Sequence, residues 1–536
     1  MSLMGIFDIG QKALMVSQTQ LNVTSHNIAN AATPGYNRQE VILEVSTPAT
    51  LGQGGVSIAQ IRRYYDKLIQ NQIVGSQQDY GKSYTLSQTL TAIEQLFNEA
   101  QDLGLADPLN EFFAAWQEVA SNPEGLTERN SLLQKADTLV LSAQSMEQGI
   151  TDILRSTEEG ISDLTSQINA MGFKISQLNN QIAQVEAGST TNTANDLRDQ
   201  RDELLKDLSK LVEVSYWEDK SNGSLTVNIG MKTLVSGNSV NTLSAVYNTE
   251  GNYLLKLDGQ DITSRITKGE MGGLLAVRDE MRNGYLPDLR KLVATITNTV
   301  NLQHGQGYGL DGSTGTNFFN PLELTVEDHS AGAVLTAAVT DYSQLTLDEY
   351  TILFNGGNYE IYNKETGQLK TSGAYNPGGT TINLEGIQFI ISGAVTDQDQ
   401  FTVSPLTTAI RNFETAVTDG QKIAASGTAA GLPGDNTNAL TLAELMDTKL
   451  VALKSDTFAN YYKSLVAEIG TRSEAASDEL TFINNFLAGL NDRRDSISGV
   501  SLDEEAADLI RFQRAYQAAA RLIQTADEMF QTLLNL

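Results

Sequence analysis

Large apolar side chains recur at every seventh position in the first thirty residues of this chain. A seven-residue repeat places such side chains in one narrow stripe along a helix, and small residues beside the stripe permit a second helix to approach closely. The helix is expected to end at Thr33-Pro34-Gly35, because Pro34 disfavours helical geometry at Thr33 and Gly35 suits a turn. The repeat consists of Phe7, Leu14, Leu21 and Ile28, with Gly10, Ser17 and Thr24 between them.

The last thirty residues carry a stronger form of the same repeat. A second apolar series follows the first by three residues, which completes the two core positions of a coiled coil over four heptads. Asp503, Glu504 and Glu505 stand near the expected start of this helix, where the helix dipole favours negative charge. The two series are Leu509, Tyr516, Ile523 and Phe530, and Phe512, Ala519, Ala526 and Leu533.

These two terminal helices need a cover for their apolar stripes. An isolated helix of about 30 residues with a narrow stripe is marginal in water, and a large apolar side chain contributes roughly 1.5–3 kcal/mol only when it is covered. The two ends could simply pair as a hairpin within one chain. We expect instead that both pack against other copies, and that both are largely disordered in a dilute monomer and become helical on assembly.

Helical patterns also dominate much of the interior. Helices are predicted within residues 85–120, where Asp107-Pro108 is a suitable start, and within 127–187, where a long rod is expected. The polar run 188–192 should end that rod, and another helix should run through 197–211. The rod's apolar series are Leu154, Ile161, Ile168, Ile175 and Ile182, and Leu164, Met171, Leu178 and Val185.

Strand patterns interrupt the helices. Val41, Leu43 and Val45 alternate as in a short strand. Asn222-Gly223 and Asn355-Gly356 each separate two alternating runs, which predicts two β-hairpins. Helical periodicity resumes near residue 271 and again after Asn438.

The fold class that follows is multidomain α+β, with a long helical bundle or coiled-coil scaffold formed by the N- and C-terminal parts and with all-β insertions. Whether the two β parts form one domain stays open. The expected parts are terminal coiled-coil helices (1–33 plus 500–536), a helical rod domain (34–212 plus 268–317 and 406–499), a small β region (213–267) and an outer β domain (318–405).

Composition excludes several kinds of function. A net charge of −29 argues against nucleic acids and anionic membranes as partners. The chain has no cysteine, and His26, His304 and His329 lack the spacing of metal ligands, so we expect no metal and no cofactor. The sequence contains no run of about 18 apolar residues, so no membrane span is expected. The N-terminus lacks the pattern of a cleaved secretory signal.

Motifs at both ends resemble those of one protein family. Residues 21–38 resemble the signature of flagellar rod, hook and hook-associated proteins, and residues 499–533 resemble the matching C-terminal end. The interior runs 195–202, 300–319 and 434–440 are similar to runs of the hook-associated protein 1 (FlgK) family, whereas the outer β region carries no motif that we recognise. The turn of the N-terminal motif contains Asn27, Asn30, Pro34, Gly35 and Tyr36.

The resemblance implies a structural subunit, not an enzyme, that joins the hook of the bacterial flagellum to its filament. The terminal helices would form an inner tube of packed copies, with the helical domain outside them and the β domains facing outward. The implied partners are other copies in a ring, the hook protein, the second junction protein and an export chaperone for the C-terminal helix. The implied location is extracellular, after export by the flagellar type III route without a cleaved signal peptide.

Three alternatives remain. Within the family, the chain could be another axial protein of the flagellum, such as a hook, rod or second junction protein. Outside it, the chain could be a coiled-coil scaffold unrelated to flagella, or a hydrolase carried on the β insertions. The sequence does not contain the His-Glu-x-x-His motif of a zinc protease, and it marks no acidic pair as special.

Overall fold

A computed structural model describes residues 3–46, 54–98, 104–187, 193–219, 221–248, 251–330, 332–397 and 399–534 of the chain. The chain divides into two compact units. Unit 1 consists of residues 1–86, 159–275 and 476–536, and unit 2 consists of residues 87–158 and 276–475. The four-part division expected from the sequence remains a prediction.

Helices make up the longest elements of the described chain. The longest, α4, continues for 61 residues where the sequence predicts a long rod, and the polar run expected to end it lies outside the described residues. Five π-helical residues, Met281–Tyr285, join α6 to α7. The helices are α1 (Leu3–Asn30), α2 (Lys67–Leu96), α3 (Ala106–Ser121), α4 (Leu126–Glu186), α5 (Asn195–Leu211), α6 (Gly269–Glu280), α7 (Leu286–His304), α8 (Thr437–Glu444), α9 (Phe458–Ser498) and α10 (Leu502–Leu534).

The described strands pair antiparallel in five sheets. Their orders are β1-β2, β3-β4-β5-β6 and β7-β8-β9 in unit 1, and β10-β17-β12-β13-β14 and β11-β16-β15 in unit 2. The strands are β1 (Gln39–Ser46), β2 (Gly55–Arg63), β3 (Val214–Glu218), β4 (Leu225–Ile229), β5 (Lys232–Ser236), β6 (Ser239–Val240), β7 (Leu243–Tyr247), β8 (Tyr253–Leu257), β9 (Gln260–Asp261), β10 (Thr325–Asp328), β11 (Ala333–Val339), β12 (Tyr350–Asn355), β13 (Asn358–Asn363), β14 (Leu369–Ala374), β15 (Thr380–Leu384), β16 (Ile387–Gly393) and β17 (Gln400–Ser404).

Both predicted hairpins are confirmed. Strand β3 pairs with β4 across the turn that contains Gly223, and β12 pairs with β13 across the turn that contains Gly356. Each glycine has a positive φ, 68° and 58°, a conformation that costs glycine little because it has no Cβ. The predicted strand at residues 41–45 is also present as β1, and its partner β2 was not predicted.

Two predicted helix bounds are wrong. Helix α1 ends at Asn30, and the chain turns before Pro34 is reached. Helix α2 begins at Lys67, well before the expected residue 85. Its first turns are mostly polar and bury few large side chains, among them Ile69 and Ile73, so the apolar pattern there is weak.

The core of unit 1 forms around the second half of α4. Four members of its predicted apolar series, Ile161, Ile168, Ile175 and Ile182, are each 0% exposed, whereas Val185 near the end of α4 is 46% exposed. Ile161, Ile168 and Ile175 belong to one apolar cluster. The same cluster contains Leu208 of α5 and Val227 of the small β region. The middle of the rod's stripe is therefore covered within unit 1.

Unit 2 has an aromatic helical core and a separate core among strands. Phe112 and Trp116 of α3 pack against Phe318, with ring centroids 5.8 and 5.3 Å from it. Between the two sheets of residues 318–405, a second cluster includes Ile352 and Phe389. No described helix combines the length and apolarity needed to cross a membrane. Among the described residues, no group of acidic or histidine side chains is gathered so as to hold a metal ion.

Candidate functional site

The two ends of the chain pair with each other as antiparallel helices. Gly10 of α1 lies against Ile523 of α10, while Asn27, later in α1, bonds to Glu505, earlier in α10. We call α1 and α10 the terminal helix pair. The hairpin within one chain, the simpler of the two arrangements considered from the sequence, is thus the arrangement of the single chain.

Small residues form the contact between the two helices. A Cβ placed on Gly10 would lie 2.8 Å from Cγ1 of Ile523, closer than real Cβ atoms approach. Small or short side chains let helix backbones approach closely, and heptad spacing keeps them on one face. The buried positions at this spacing are Gly10, Ser17 and Thr24 on α1, and Glu505, Ala519 and Ala526 on α10.

The large apolar residues of the two heptad series are only partly covered by this contact. Phe7 is 45% exposed and Phe530 is 49% exposed. Further large apolar side chains of the pair are exposed to a similar or greater degree: Met4, Met15, Leu502, Ile510, Leu522 and Met529. The other residues of the predicted series are half-buried: Leu14, Leu21, Ile28, Leu509, Phe512, Tyr516 and Ile523. The side chain of Leu533 lies outside the described residues.

A hydrogen-bond network holds one end of the terminal helix pair. Asn27 is 1% exposed and uses both ends of its amide. Its Nδ2 donates to Oε2 of Glu505 at 3.0 Å and to the carbonyl oxygen of Gln39 at 2.9 Å. Its Oδ1 accepts from the backbone N–H of Gln39 at 3.0 Å and from the hydroxyl of Tyr36 at 2.7 Å. One side chain thus joins the end of α1, the start of β1 and the start of α10.

Arg38 completes this network by binding the acidic start of α10. Its Nε donates to Oε1 of Glu505 at 2.6 Å, and its Nη1 donates to Oε2 of Glu504 at 2.8 Å. Its backbone N–H donates to the carbonyl oxygen of Ser498 at the end of α9. Burial alone would lower the pKa of the Arg38 guanidinium, but Glu505 outweighs it and raises the pKa. We call Asn27, Tyr36, Arg38, Gln39 and Glu505 the motif network.

An interior motif run meets the N-terminal motif beside this network. Nδ2 of Asn37 donates to Oδ1 of Asp199 at 2.6 Å, and Nη1 of Arg63 donates to the same oxygen at 2.6 Å. The same Arg63 nitrogen donates to Asp202 at 2.8 Å. Burial would lower the pKa of Arg63, but Asp202 and then Asp199 outweigh it and raise the pKa. The start of α5 is thereby tied to β2 and to the turn after α1.

The remaining motif residues shape the turn. Nδ2 of Asn30 donates to the carbonyl oxygen of His26 at 3.0 Å, and Gly35 has a φ of 77°, in the left-handed region that favours glycine. Pro34 is exposed. Burial, and then the charge of Asp196, raises the pKa of Tyr36 well above its usual range, so its hydroxyl stays protonated as a donor.

Two further interior motif runs meet each other in unit 2. Oδ1 of Asn301 accepts from the backbone N–H groups of Phe318 and Phe319 at 2.9 and 2.8 Å. Nε2 of Gln303 donates to Oδ1 of Asn438 at 2.7 Å, and Nδ2 of Asn438 donates to the carbonyl oxygen of Ala424 at 2.6 Å. These amides satisfy buried backbone groups, which is a role in folding.

His304 lies fully buried in the same part of unit 2. Its Nδ1 bonds to the carbonyl oxygen of Thr316 at 2.8 Å, and its Nε2 accepts from the backbone N–H of Ala424 at 2.9 Å. Burial lowers its pKa to about 4, so the ring is neutral at pH 7. Both ring nitrogens are therefore occupied by backbone groups.

Sequence reasoning selected the motif turn but missed the partners that hold it. Arg38 and Glu505 belong to recognised motif runs, yet they are 467 positions apart in the chain. No local pattern pairs residues at such a separation. One signal could have found Glu505: it stands seven residues before Phe512, at a core position of the heptad where a solvated charge is not expected. Arg38 has polar neighbours, Asn37 and Gln39, and gives no such signal.

Four family models match the chain. The models for the "Flagellar hook-associated protein FlgK helical domain" and the "Flagellar hook-associated protein 1, D2-like domain" match residues 90–319 and 325–405. The model for the "Flagella basal body rod protein" matches residues 7–37. The model for the "Flagellar basal body rod FlgEFG protein C-terminal" matches residues 494–536.

Relatives that match nearly the whole chain share one name. Flagellar hook-associated protein 1 of Salmonella typhimurium is 30% identical over 98% of this chain and 98% of its own length. The protein of the same name from Escherichia coli is 28% identical over the same shares. The solved structure of the flagellar hook junction protein FlgK from Burkholderia pseudomallei covers 80% of this chain and 100% of its own, with a TM-score of 0.68 and 20% identity. That structure shows a shared fold.

Proposed function

The chain belongs to the flagellar hook-associated protein 1 (FlgK) family, and from that premise we propose that it is a structural subunit that joins the flagellar hook to the filament. The role is mechanical and non-catalytic. The subunit assembles through its terminal helices and offers a surface on which further junction and filament subunits add.

The main support for this proposal is that large apolar side chains of the terminal helix pair remain exposed to solvent. The intrachain contact buries Gly10, Ser17 and Thr24, while Phe7 and Phe530 remain about half exposed. Large apolar groups left in water at heptad spacing are characteristic of a surface that binds another helix. The proposed subunit-packing residues are Phe7, Leu14, Leu21, Ile28, Leu509, Phe512, Tyr516, Ala519, Ile523, Ala526, Phe530 and Leu533.

The motif network supports the same role. It fixes the junction of α1, β1 and α10 through Asn27, Arg38 and the buried Glu505. A fixed junction lets every copy present its terminal helices in one geometry, which a repeating assembly requires. The motif turn residues Asn27, Asn30, Pro34, Gly35 and Tyr36 act as structural residues in this proposal.

The proposed partners follow from the family. They are other copies in a ring, the hook protein, the second junction protein and an export chaperone that binds the C-terminal helix. The proposed location is extracellular, at the hook–filament junction, after export without a cleaved signal peptide.

The decisive experiment removes the exposed apolar groups without disturbing the fold. In the full chain, Phe7→Gln combined with Phe530→Gln should leave circular dichroism and the thermal unfolding midpoint of the monomer nearly unchanged. The same variant should fail to seat on purified hooks and to restore filaments in cells that lack the protein, because its helices no longer bury apolar surface on a neighbour.

A matched control is Leu369→Gln. Leu369 is 47% exposed, close to the values for Phe7 and Phe530, and it lies on β14 of the outer β part. This variant should seat on hooks and support filaments as the original chain does. Normal attachment by the Phe7 and Phe530 double variant, in protein shown to be exported, would overturn the proposed function.

A further inference from the structure

A small cavity lies beside the motif network, with walls formed by α1, β1 and α10. We call it the junction cavity. Its volume is about 90 Å³, far below the roughly 300–1,000 Å³ of sites that enclose a small molecule. A space of this size accommodates the head group of one side chain.

Thr24 of α1 provides an unused hydroxyl in the wall of the junction cavity. The residue is 3% exposed and lines the cavity. Within the part of the chain that the structure describes, its hydroxyl forms no hydrogen bond. A buried hydroxyl without a partner costs free energy, so a polar group is expected to bind it from inside the cavity.

The carboxylate of Asp508 is a second unused acceptor in the wall. Its Oδ2 is 3.8 Å from Nη2 of Arg38, beyond hydrogen-bond distance, and its Oδ1 is 3.1 Å from Nη2 of Arg511. No hydrogen bond among the described residues ends on either oxygen. Glu505, by contrast, accepts hydrogen bonds from both Asn27 and Arg38.

The charges of the wall favour a cation as the occupant. Glu40, Glu505 and Asp508 contribute three carboxylates, whereas Arg38 and Arg511 contribute two guanidinium groups. The excess charge is therefore negative, and both unused groups can accept hydrogen bonds. An arginine head group matches this wall, because it is always charged and has five N–H donors and no acceptor.

The terminal helix pair carries such a cation that is not yet paired. Two of its four Lys and Arg residues have an acidic partner on their own helix, at 2.9 and 3.1 Å. The other two, Arg514 and Arg521, are exposed and form no ion pair with any described residue. The four are Lys12, Arg511, Arg514 and Arg521.

Arg514 lies on the side of α10 opposite to the junction cavity. Nine residues separate it from Glu505, which is about 2.5 turns of an α-helix. Its side chain also tilts toward the N-terminus of α10, where the cavity lies. One copy therefore presents the cavity on one side of α10 and the cation on the other. A contact between two unlike sites can repeat from copy to copy around a ring.

We propose that the junction cavity of each copy binds the guanidinium group of Arg514 from the next copy. The guanidinium donates to the carboxylate of Asp508 and to the hydroxyl of Thr24. This contact rests on the proposed function, because a ring places the terminal helices of neighbouring copies side by side at one level. Arg521 lies one heptad further along α10, on the same side as Arg514 but farther from that level.

The contact is continuous with the proposed packing surface. Phe512 lines the junction cavity and belongs to one of the two apolar series of α10. The large apolar side chains supply most of the buried area between copies, and the guanidinium fixes how the two helix pairs align. Charged contacts at an interface act in this way on register and specificity.

The first test compares two arginines of the full chain on purified hooks. Arg514→Gln should weaken seating by about tenfold, as expected for the loss of one charged contact. The matched control, Arg521→Gln, removes the same charge from the same side of α10 and should change seating less than about twofold. Neither variant should alter the thermal unfolding midpoint of the monomer, because neither arginine has a described partner within the chain.

A double-mutant cycle tests whether Arg514 and the cavity act on each other. In a chain that carries Asp508→Asn, adding Arg514→Gln should weaken seating by less than about twofold, because the contact is already lost. A purely structural role of Asp508 would leave the full tenfold effect of the arginine in place. Thr24→Val, which removes the hydroxyl and keeps the shape of the side chain, provides a second cycle if Asp508→Asn does not fold.

The absence of cysteine from the chain permits a direct test of the contact between copies. Gln20→Cys places a thiol in the cavity wall, and Gln513→Cys places one beside Arg514. When the two proteins are mixed and seated on hooks, a short reagent that joins two thiols should link one chain of each kind. Gln524→Cys, also exposed on α10, is the matched control and should link to Gln20→Cys at least about tenfold less.

Three results in seated protein would overturn this contact. They are equal seating of the Arg514→Gln and Arg521→Gln variants, additive effects in both cycles, and equal linking of Gln20→Cys to the two α10 thiols. Failure of the proposed function is distinguishable, because the Phe7 and Phe530 double variant would then seat normally. Loss of seating in that double variant together with any of the three results would contradict the cavity contact alone.

Discussion

Two heptad series within unit 1 have similar sequence patterns and different surroundings. On α4, Ile161, Ile168 and Ile175 are each 0% exposed, because α5 and the small β region cover them. On the terminal helix pair, Phe7 and Phe530 are about half exposed, whereas the small residues Gly10, Ser17 and Thr24 between the large ones are buried.

A heptad repeat thus determines that apolar side chains form one stripe along a helix. It does not determine which part of the protein covers that stripe. On α4 the cover comes from the same chain, so the stripe contributes to the stability of the monomer. On the terminal pair the large side chains are only partly covered, so the rest of their contribution depends on what else binds. We therefore expect one series to govern folding and the other to govern assembly.

The largest loss of stability should come from truncating a side chain in the covered stripe of α4. Ile168→Ala removes buried methyl groups and leaves a cavity, which should cost about 3 kcal/mol of unfolding free energy. Phe530→Ala, on a half-exposed side chain, should cost less than about 1 kcal/mol. Urea unfolding of the two monomeric variants measures both values. Similar losses in the two variants would break the comparison.

Burial also determines whether a side chain in a core can carry a charge, and the buried His304 of unit 2 allows a test of this effect. Burial lowers its pKa from the ordinary 6.5 to about 4, so the unfolded chain binds the proton first as the pH falls. Stability should therefore decrease between pH 6.5 and about 4, by on the order of 3 kcal/mol from this group. Unfolding measured across this range in the original chain and in His304→Gln isolates the contribution. Parallel pH profiles would contradict it.

Amide exchange should separate the two series in the unmodified monomer. Amides in residues 5–30 and 505–534 should exchange at least about 100-fold faster than those in 161–182, because fewer buried apolar contacts oppose opening of the terminal helices. Fast exchange would agree with the expectation that the two ends of the chain become fully ordered only on assembly. Strong protection of the ends in a verified monomer would show that the small-residue contact alone is sufficient.

The smallest effect should come from a matched pair of glycines. A methyl group added at Gly75, on α2, would have no described neighbour outside its own helix within 4 Å, whereas one added at Gly10 would meet Ile523 at 2.8 Å. Gly75→Ala should stabilise the chain by up to about 1 kcal/mol through helix propensity. Gly10→Ala should lose that gain, because Ile523 must move. Equal stabilisation in thermal unfolding would show that the terminal helices separate without cost.

Much of the fold could be predicted because it depends on local spacing. The heptads of α4 and α10 predict helices that the structure contains, and Asn222-Gly223 and Asn355-Gly356 predict hairpins that it also contains. Strand β2 and the first turns of α2 were missed, because their apolar patterns are weak.

The sequence by itself determined where the apolar stripes lie. Because an α-helix has a fixed pitch, residues at a constant spacing fall on one side of it. Only the tertiary structure decided which stripe is covered and which buried charges meet. Asn27 and Glu505 are 478 positions apart and are joined by one hydrogen bond. Such a contact depends on how distant segments close on each other, and periodicity carries no information about that.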